Sequence, residues 1–340
     1  MANRNMLVEK LHAALFVVLA FLFTTSRLFA ATKLEPVTIG YSTFAGAFAP
    51  LWVAVEEHLG AKYGLDVRAI YAGRVRPQQL LASGDVPFVL ATGTGAMTSH
   101  IVGVKDQVMV ATITNKVGSA IFSRQNIKSV EELKGKLVAT GRPGAFQDVM
   151  TRYVLQSRFG LVPDRDVKFM PTGEPALAIQ VLERGVVDAA GMSAPYMFVA
   201  RKMGFREIAN YDNLGVTYPY STVTVLRPLL TKQPELIEKV LKCLIEGTHI
   251  IKTDKQKGMA VLAKYQRGSS DEILDATYQH TVATLDEAPH PTLAVFKNAL
   301  EMLTPQFPQA KQADVSAMVD GSFMKKIDDS GFIRGLYNRK

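Results

Sequence analysis

The sequence predicts an α/β protein of two lobes, each a mostly parallel sheet flanked by helices. Three observations lead there. Short apolar runs alternate with helical patterns, the alternation recurs about a hundred residues later, and in both copies the first strand-to-helix turn is rich in glycine and small residues.

The elements follow in order. VTIGYS (37–42) has the length and composition of a buried strand, and APLWVAVEEHLGAKYG (49–64) has helical spacing. LDVRAIYA (65–72) is a strand, RPQQLLASG (76–84) a helix and VPFVLAT (86–92) a strand. The second copy opens with the strand KLVATG (136–141) and the helix FQDVMTRYVLQSRFG (146–160). DVKFMPT (166–172), PALAIQVLERG (175–185) and VVDAAGM (186–192) continue as strand, helix and strand. Single residues align as well: Gly46 with Gly144, Tyr63 with Phe159, Asp66 with Asp166, Gly73 with Gly173, Leu81 with Leu182. The offsets drift only from 96 (63 to 159) to 101 (81 to 182), too long for solenoid units of roughly 20–50 residues. Two lobes built alike explain the pattern. Open parallel sheets place ligands beyond the carboxyl ends of their strands. The turns YSTFAGAF (41–48) and TGRPGAF (140–146) are therefore expected to form opposite walls of one cleft.

Composition bounds the rest. Of 340 residues, 48 % are hydrophobic and 21 % charged, enough for a sizeable core. Arg4 and Lys10 precede an unbroken apolar run from Ala13 to Phe23, shorter than the roughly 20 residues that span a bilayer. Small residues follow, so 1–31 is expected to be a secretory signal peptide cleaved near Ala30 or Ala31, the alternative being an uncleaved anchor. The net charge of +8 falls to about +6 without the first 30 residues, where Arg4, Lys10 and Arg27 outweigh Glu9 by two. That balance leans towards an anionic ligand. The basic residues are scattered without aromatic interleaving, which argues against nucleic acid. One cysteine, Cys243, cannot form an internal disulfide, so an exported chain of this kind relies on its core.

VTIGYS…APLWVAVEEHLGAKYGLDV, QQLLASGDVPFVLATG, IKSVEELKGKLVAT, ALAIQVLERGVVDAAGMSAPYMFVARKMGF and the tail SFMKKIDDSGFIRGLY together resemble the periplasmic substrate-binding proteins of nitrate/sulfonate/taurine-type ABC importers. The resemblance covers nearly the whole chain after the leader. It implies the two-lobed type II periplasmic-binding-protein fold, with residues 36–120 and 220–340 in the first lobe and 121–219 in the second. The chain would cross near Ser119 to Arg124 and return near Tyr218 to Val223. A helical tail from about residue 229 would pack mainly on the first lobe. The resemblance also implies a monomer that carries a small molecule to a membrane permease, with no cofactor and no metal.

The same resemblance points to the residues that would touch the ligand. Tyr41, Ser42, Thr43 and Phe44 follow the first strand and offer hydroxyl and backbone donors. Arg74, after the second strand, replaces the small residue usual in the family. Thr92, Gly93 and Thr94 follow the third strand, where small residues allow close backbone approach, and Asn115 follows the run MVATIT. On the other wall, Arg142 brings a forked donor for a carboxylate or sulfonate. Gly144, Ala145 and Phe146 bring backbone N–H groups at a helix N-terminus. Ser193 and Tyr196 follow the last strand of the second copy, and Tyr220 lies on the return crossing. Trp52 and Phe48 read as core.

Catalytic chemistry is thinly represented. TGRPGAFQD lacks the lysine of a phosphate loop, and GMSAP (191–195) has proline where a nucleophile elbow uses glycine. There is no HExxH and no CxxC, and the histidines at 58, 100, 249, 280 and 290 lack metal-ligand spacing. Thiamine-precursor enzymes of this fold carry a cysteine-rich motif that this chain lacks. A ligand-sensing partner of a membrane receptor and an exported enzyme remain as alternatives to the import role.

Overall fold

The computed structural model describes residues 33–73 and 76–338. The expected signal peptide and Arg74 lie outside them. Pro36–Lys340 forms one compact unit.

The strands are β1 (Glu35–Tyr41), β2 (Leu65–Tyr71), β3 (Phe88–Ala91), β4 (Gln107–Lys116), β5 (Ser119–Ser123), β6 (Leu137–Thr140), β7 (Lys168–Pro171), β8 (Ala189–Ser193), β9 (Arg206–Asn210) and β10 (Thr217–Leu226). The helices are α1 (Ala49–Glu56), α2 (Pro77–Ser83), α3 (Gly93–Ile101), α4 (Phe146–Phe159), α5 (Pro175–Glu183), α6 (Tyr196–Lys202) and α7 (Arg227–Lys232). The tail adds α8 (Pro234–Thr253), α9 (Lys255–Tyr265), α10 (Asp271–Thr284), α11 (Leu293–Leu303), α12 (Ser322–Asp329) and α13 (Phe332–Tyr337).

Two five-stranded sheets result, ordered β2-β1-β3-β10-β4 and β7-β6-β8-β5-β9. The orders correspond position by position, so β1, β2 and β3 match β6, β7 and β8 as the repeat predicts. Both sheets are mixed. β1 pairs parallel to β3, and β6 parallel to β7 and β8. The fourth position is taken by the strand that arrives from the other sheet's side of the chain. β10 runs antiparallel to β3 and β4, and β5 antiparallel to β8 and β9.

The crossings lie a few residues earlier than expected. Ser119–Ser123 is itself a wholly buried strand, and the chain changes sheets at Val117–Gly118. There Gly118 turns with φ +49°, a left-handed conformation that suits glycine. The return runs over Tyr211–Val216, before Tyr218. Asp212 on the return accepts from the N–H groups of Val117 and Gly118 (3.1 and 3.2 Å), which ties the two crossings together.

One further expectation needs correction. The helix after β1 ends at Glu56 instead of Gly64, because His58 adopts φ +49° and breaks the turn. Most of the tail lies on the first lobe, and two of its helices also reach the second. α8 and α9 cover α1, whereas α10 contacts α6, α11 contacts α4, and Ile273 of α10 joins the apolar cluster of Ala120, Phe122, Leu182 and Phe198. Trp52 and Phe48 are fully buried, as read.

Candidate ligand-binding cleft

A cleft of about 1500 Å³ opens where the strand-to-helix turns of the two sheets meet. Its first wall is built from the segments after β1, β2 and β3. Ser42, Thr43 and Phe44 line it, with Tyr71 at the end of β2 and Thr92 and Thr94 at the start of α3. Its second wall is the loop from Thr140 to Phe146, backed by Gly173–Glu174 and by Ser193–Tyr196. Tyr220 closes the floor between them.

Aromatic rings dominate the first wall. Phe44 packs on Tyr71 with ring centroids 4.5 Å apart and on Tyr41 edge-to-face at 5.7 Å. Below them Trp52 stacks on Tyr265 at 4.7 Å with planes 8° apart. Phe146 meets Tyr220 at 4.8 Å, which gives the opposite wall an aromatic corner. Offset rings of this kind bind flat molecules well.

One buried carboxylate organises the second wall. Asp148, 2 % exposed, accepts from the Gly144 N–H (2.9 Å), the Arg152 Nε (2.8 Å), the Gln306 Nε2 (3.0 Å) and the Thr140 hydroxyl (3.3 Å). The Ala145 N–H donates back to the Arg142 carbonyl at 2.9 Å. Two of the loop amides expected to face a ligand are therefore used inside the loop, and Gly144 holds φ +74° to allow it. Arg142 lines the cleft and pairs with Glu174, also in the lining, at 3.2 Å, both partners well exposed. The expected lone cation is thus half of a charge pair.

Beneath the second wall runs a polar chain. The Ser193 hydroxyl donates to the Gln147 Oε1 (2.9 Å) and shares a hydrogen bond with the Ser119 hydroxyl (2.7 Å). Burial raises the Tyr220 hydroxyl to about 12, opposed by its bond to Ser193, so it stays a neutral donor near pH 7. Burial also raises the Tyr196 hydroxyl, with Glu174 adding to the effect.

Several expected contacts stand elsewhere. Tyr41 is only 4 % exposed and supports Phe44 from below the lining. Gly93 is absent from the lining, and a Cβ there would meet the Pro219 ring and carbonyl at 2.9 Å, so its smallness serves strand β10. Asn115, at the end of β4, is absent from the lining. Thr94 lines the cleft while its hydroxyl accepts from buried Tyr218 at 2.9 Å.

Sequence reading missed Tyr71, Gln147 and Glu174, and it missed a whole third wall. Residues 264–270, between α9 and α10, line the cleft from the tail. Gln266 there donates from Nε2 to the Phe44 carbonyl at 2.7 Å. Its Oε1, the Ser42 hydroxyl and the Trp52 Nε1 are buried with no partner among the described residues. Leaving such a group unpaired costs about 1–3 kcal/mol each. The segment KYQRGSS has no counterpart in the repeat, so nothing in the sequence drew attention to it.

A family model described as the NMT1-like family matches residues 30–265, well over half of the chain. The chain belongs to the NMT1-like family. Solved structures share the fold of this NMT1-like protein. The periplasmic aliphatic sulphonate-binding protein SsuA from Escherichia coli superposes with TM-score 0.70 at 20 % identity, over 84 % of this chain and 92 % of that one. The periplasmic nitrate-binding protein NrtA from Synechocystis PCC 6803 gives 0.71 at 15 %, over 88 % and 89 %. The desulfurization enzyme DSZB gives 0.63 at 14 %, over 86 % and 99 %. The two-lobed, type II periplasmic-binding-protein fold is thus the fold of this chain. No curated protein matches the sequence. Among the described residues, no group of three His, Cys, Asp or Glu could hold a metal, and no helix is long and apolar enough to cross a membrane.

Proposed function

We propose that this NMT1-like chain is an extracytoplasmic solute-binding protein that delivers a small organic anion, flat or aromatic in its body, to the permease of an ABC importer. The supporting observation is the cleft itself: two equivalent strand-to-helix turns, one aromatic and one carrying Arg142, facing a space of about 1500 Å³. That space far exceeds an inorganic ion and suits an organic molecule, whose sites usually occupy about 300–1,000 Å³. Relatives by fold that are named for sulphonate and nitrate binding favour an anion in this cleft.

The ligand's acid group goes to Arg142 and the N-terminal turn of α4, where the helix dipole favours negative charge. A guanidinium has five N–H donors, enough to hold Glu174 and a ligand oxygen together. The body of the ligand stacks against Phe44 and Tyr71. Contacts to both walls favour the closed arrangement of a first lobe, 36–116 with 217–340, and a second lobe, 119–210. Closure pivots on Val117–Gly118 and Tyr211–Val216. An exported location follows from the expected leader.

The likeness to DSZB favours an enzyme as a second reading. Against it, Cys243 is buried in α8 outside the cleft lining, and burial followed by the charge of Glu246 pushes its thiol up to about 12. That thiol is no nucleophile near neutral pH.

Thermal unfolding against a panel of sulfonates, carboxylates and heterocycles tests the proposal. A ligand at a hundred times its dissociation constant stabilises by about 2.7 kcal/mol. Calorimetry on Arg142→Ala should then show a loss of about tenfold or more for the anion found, the size of one charge-assisted hydrogen bond. A flat panel, together with no small molecule released on denaturing the purified protein, would sink the reading.

A further inference from the structure

We propose that Gln266 makes the cleft select organic anions that also carry a hydrogen-bond donor, an N–H or O–H group, over anions that only accept. The inference rests on the solute-binding reading above.

Gln266 follows α9 and is 5 % exposed within the lining. Its bond to the Phe44 carbonyl settles the amide's orientation. The end that donates at 2.7 Å is Nε2, so the other end, Oε1, is an acceptor. That oxygen has no partner among the described residues and is sealed from solvent. Two further unpartnered atoms lie around the same aromatic residue. The Ser42 hydroxyl is two positions before Phe44, and the Trp52 Nε1 belongs to a ring 6.3 Å from that of Phe44. Phe44 is the exposed member of the group, at 36 %. The proposal requires the Phe44 ring to turn aside so that a ligand can reach this oxygen.

The corner and the charge pair line the same cleft. Phe44 packs on Tyr71, and Tyr71 in turn lies within electrostatic reach of Glu174, Arg142 and Tyr196 across the cleft. A ring lying on Phe44 and Tyr71 can therefore present an acid group to the loop of Arg142 and a second substituent to Gln266. An amide oxygen accepts and never donates, so that substituent has to donate. Nitrate and simple alkanesulfonates have no such group. A site built to pair a substrate N–H or O–H rejects the analogue lacking it, because its own buried atom is left unpaired.

The test is calorimetric titration of protein purified from cells expressing the full chain, with benzoate and with its 2-, 3- and 4-amino derivatives. At least one amino isomer should bind about tenfold or more tighter than benzoate. Gln266→Met, similar in length but without the amide, should remove that preference, so that the amino isomers bind no tighter than benzoate to the same variant. Glu174→Gln should keep the preference, which separates the amide from the carboxylate. Equal binding of all four compounds to the wild type overturns the proposal and leaves the cleft reading standing. A preference that survives Gln266→Met in a folded variant overturns the assignment to Gln266. Should that variant fail to fold, the wild-type comparison alone decides. Binding of none of the four overturns the cleft as a site for flat organic anions, and this inference with it.

Discussion

Asp148 gathers four donors from three distant stretches of chain: Thr140 and Gly144 in the loop, Arg152 one turn along α4, and Gln306 from the tail. The carboxylate is buried; without it Arg152 keeps Asp164 as its partner, but the Gly144 N–H and the Gln306 amide lose their acceptor. Asp148→Ala should therefore lower stability by about 1–3 kcal/mol, read as a shift in the urea midpoint. It should also weaken binding of any ligand of the 140–146 loop, since Gly144 loses its anchor. A variant of unchanged stability would show that the loop holds its shape without the clamp. From sequence this residue is only a carboxylate in the first turn of a helix, where charge and dipole already account for it. Its main distinction, the bond to Gln306, spans 158 positions and leaves no local trace. The same holds for Glu174 and Gln266, whose partners Arg142 and Phe44 lie 32 and 222 positions away. The place of Ser42, Thr43, Phe44 and Ser193 in the lining was legible because they sit at or just after strand ends, which open α/β sheets turn towards their clefts.

Helix α10 joins the two lobes, and its residue His280 packs against the crossing. A Cβ on Gly118 would run into the His280 Nε2, and the Phe198 ring lies edge-on at 5.9 Å. Burial lowers the pKa of His280 below its ordinary 6.5. Asp212 opposes the effect, while Arg201 and Lys116 add to it. The unfolded chain thus takes up a proton at 6.5 that the folded chain refuses, so stability falls as pH drops through 6.5 towards the folded value. His100 and His249 are lowered as well, also by burial first, and act in the same direction. Thermal midpoints should decline between pH 7 and pH 5, and His280→Gln should flatten part of that decline. An unaltered slope would mean that His280 stays neutral or finds a partner when charged. At this scale the periodic elements were readable: β1, β2, α2, α4 and α5 fall within about two residues of their expected bounds. Helix α3 was not, because GTGAMTSHI is poor in strong helix formers and its glycines and hydroxyls look like loop. The ten-residue β4 and β10 hold the first sheet together; ATIT and TVTV alternate hydroxyl and apolar residues, but alternation marks the two faces of a strand and not its direction or its place in the sheet.

The repeat made the two-sheet plan readable from sequence, but not the exchange of strands. β10 lies between β3 and β4 in the first sheet, whereas every strand of the second sheet comes from the unbroken stretch Ser119–Asn210. The exchange sets an order of assembly as the chain emerges from its amino end. The segment up to Lys116 holds four strands of its sheet with a gap where the fifth belongs, and the edges of β3 and β4 stay unpaired until residue 226 arrives. Open edges of that kind invite wrong partners. The later-made sheet needs nothing from beyond residue 210 for its ladders, so it can close first. Pulse-labelled hydrogen exchange during refolding should protect the amides of β6 and β8 before those of β3 and β4. Simultaneous protection of all four would indicate a single cooperative step instead. Until the return strand is laid in, the half of the molecule that is made first is a frame waiting for its keystone, and the interval belongs to whatever chaperone meets it.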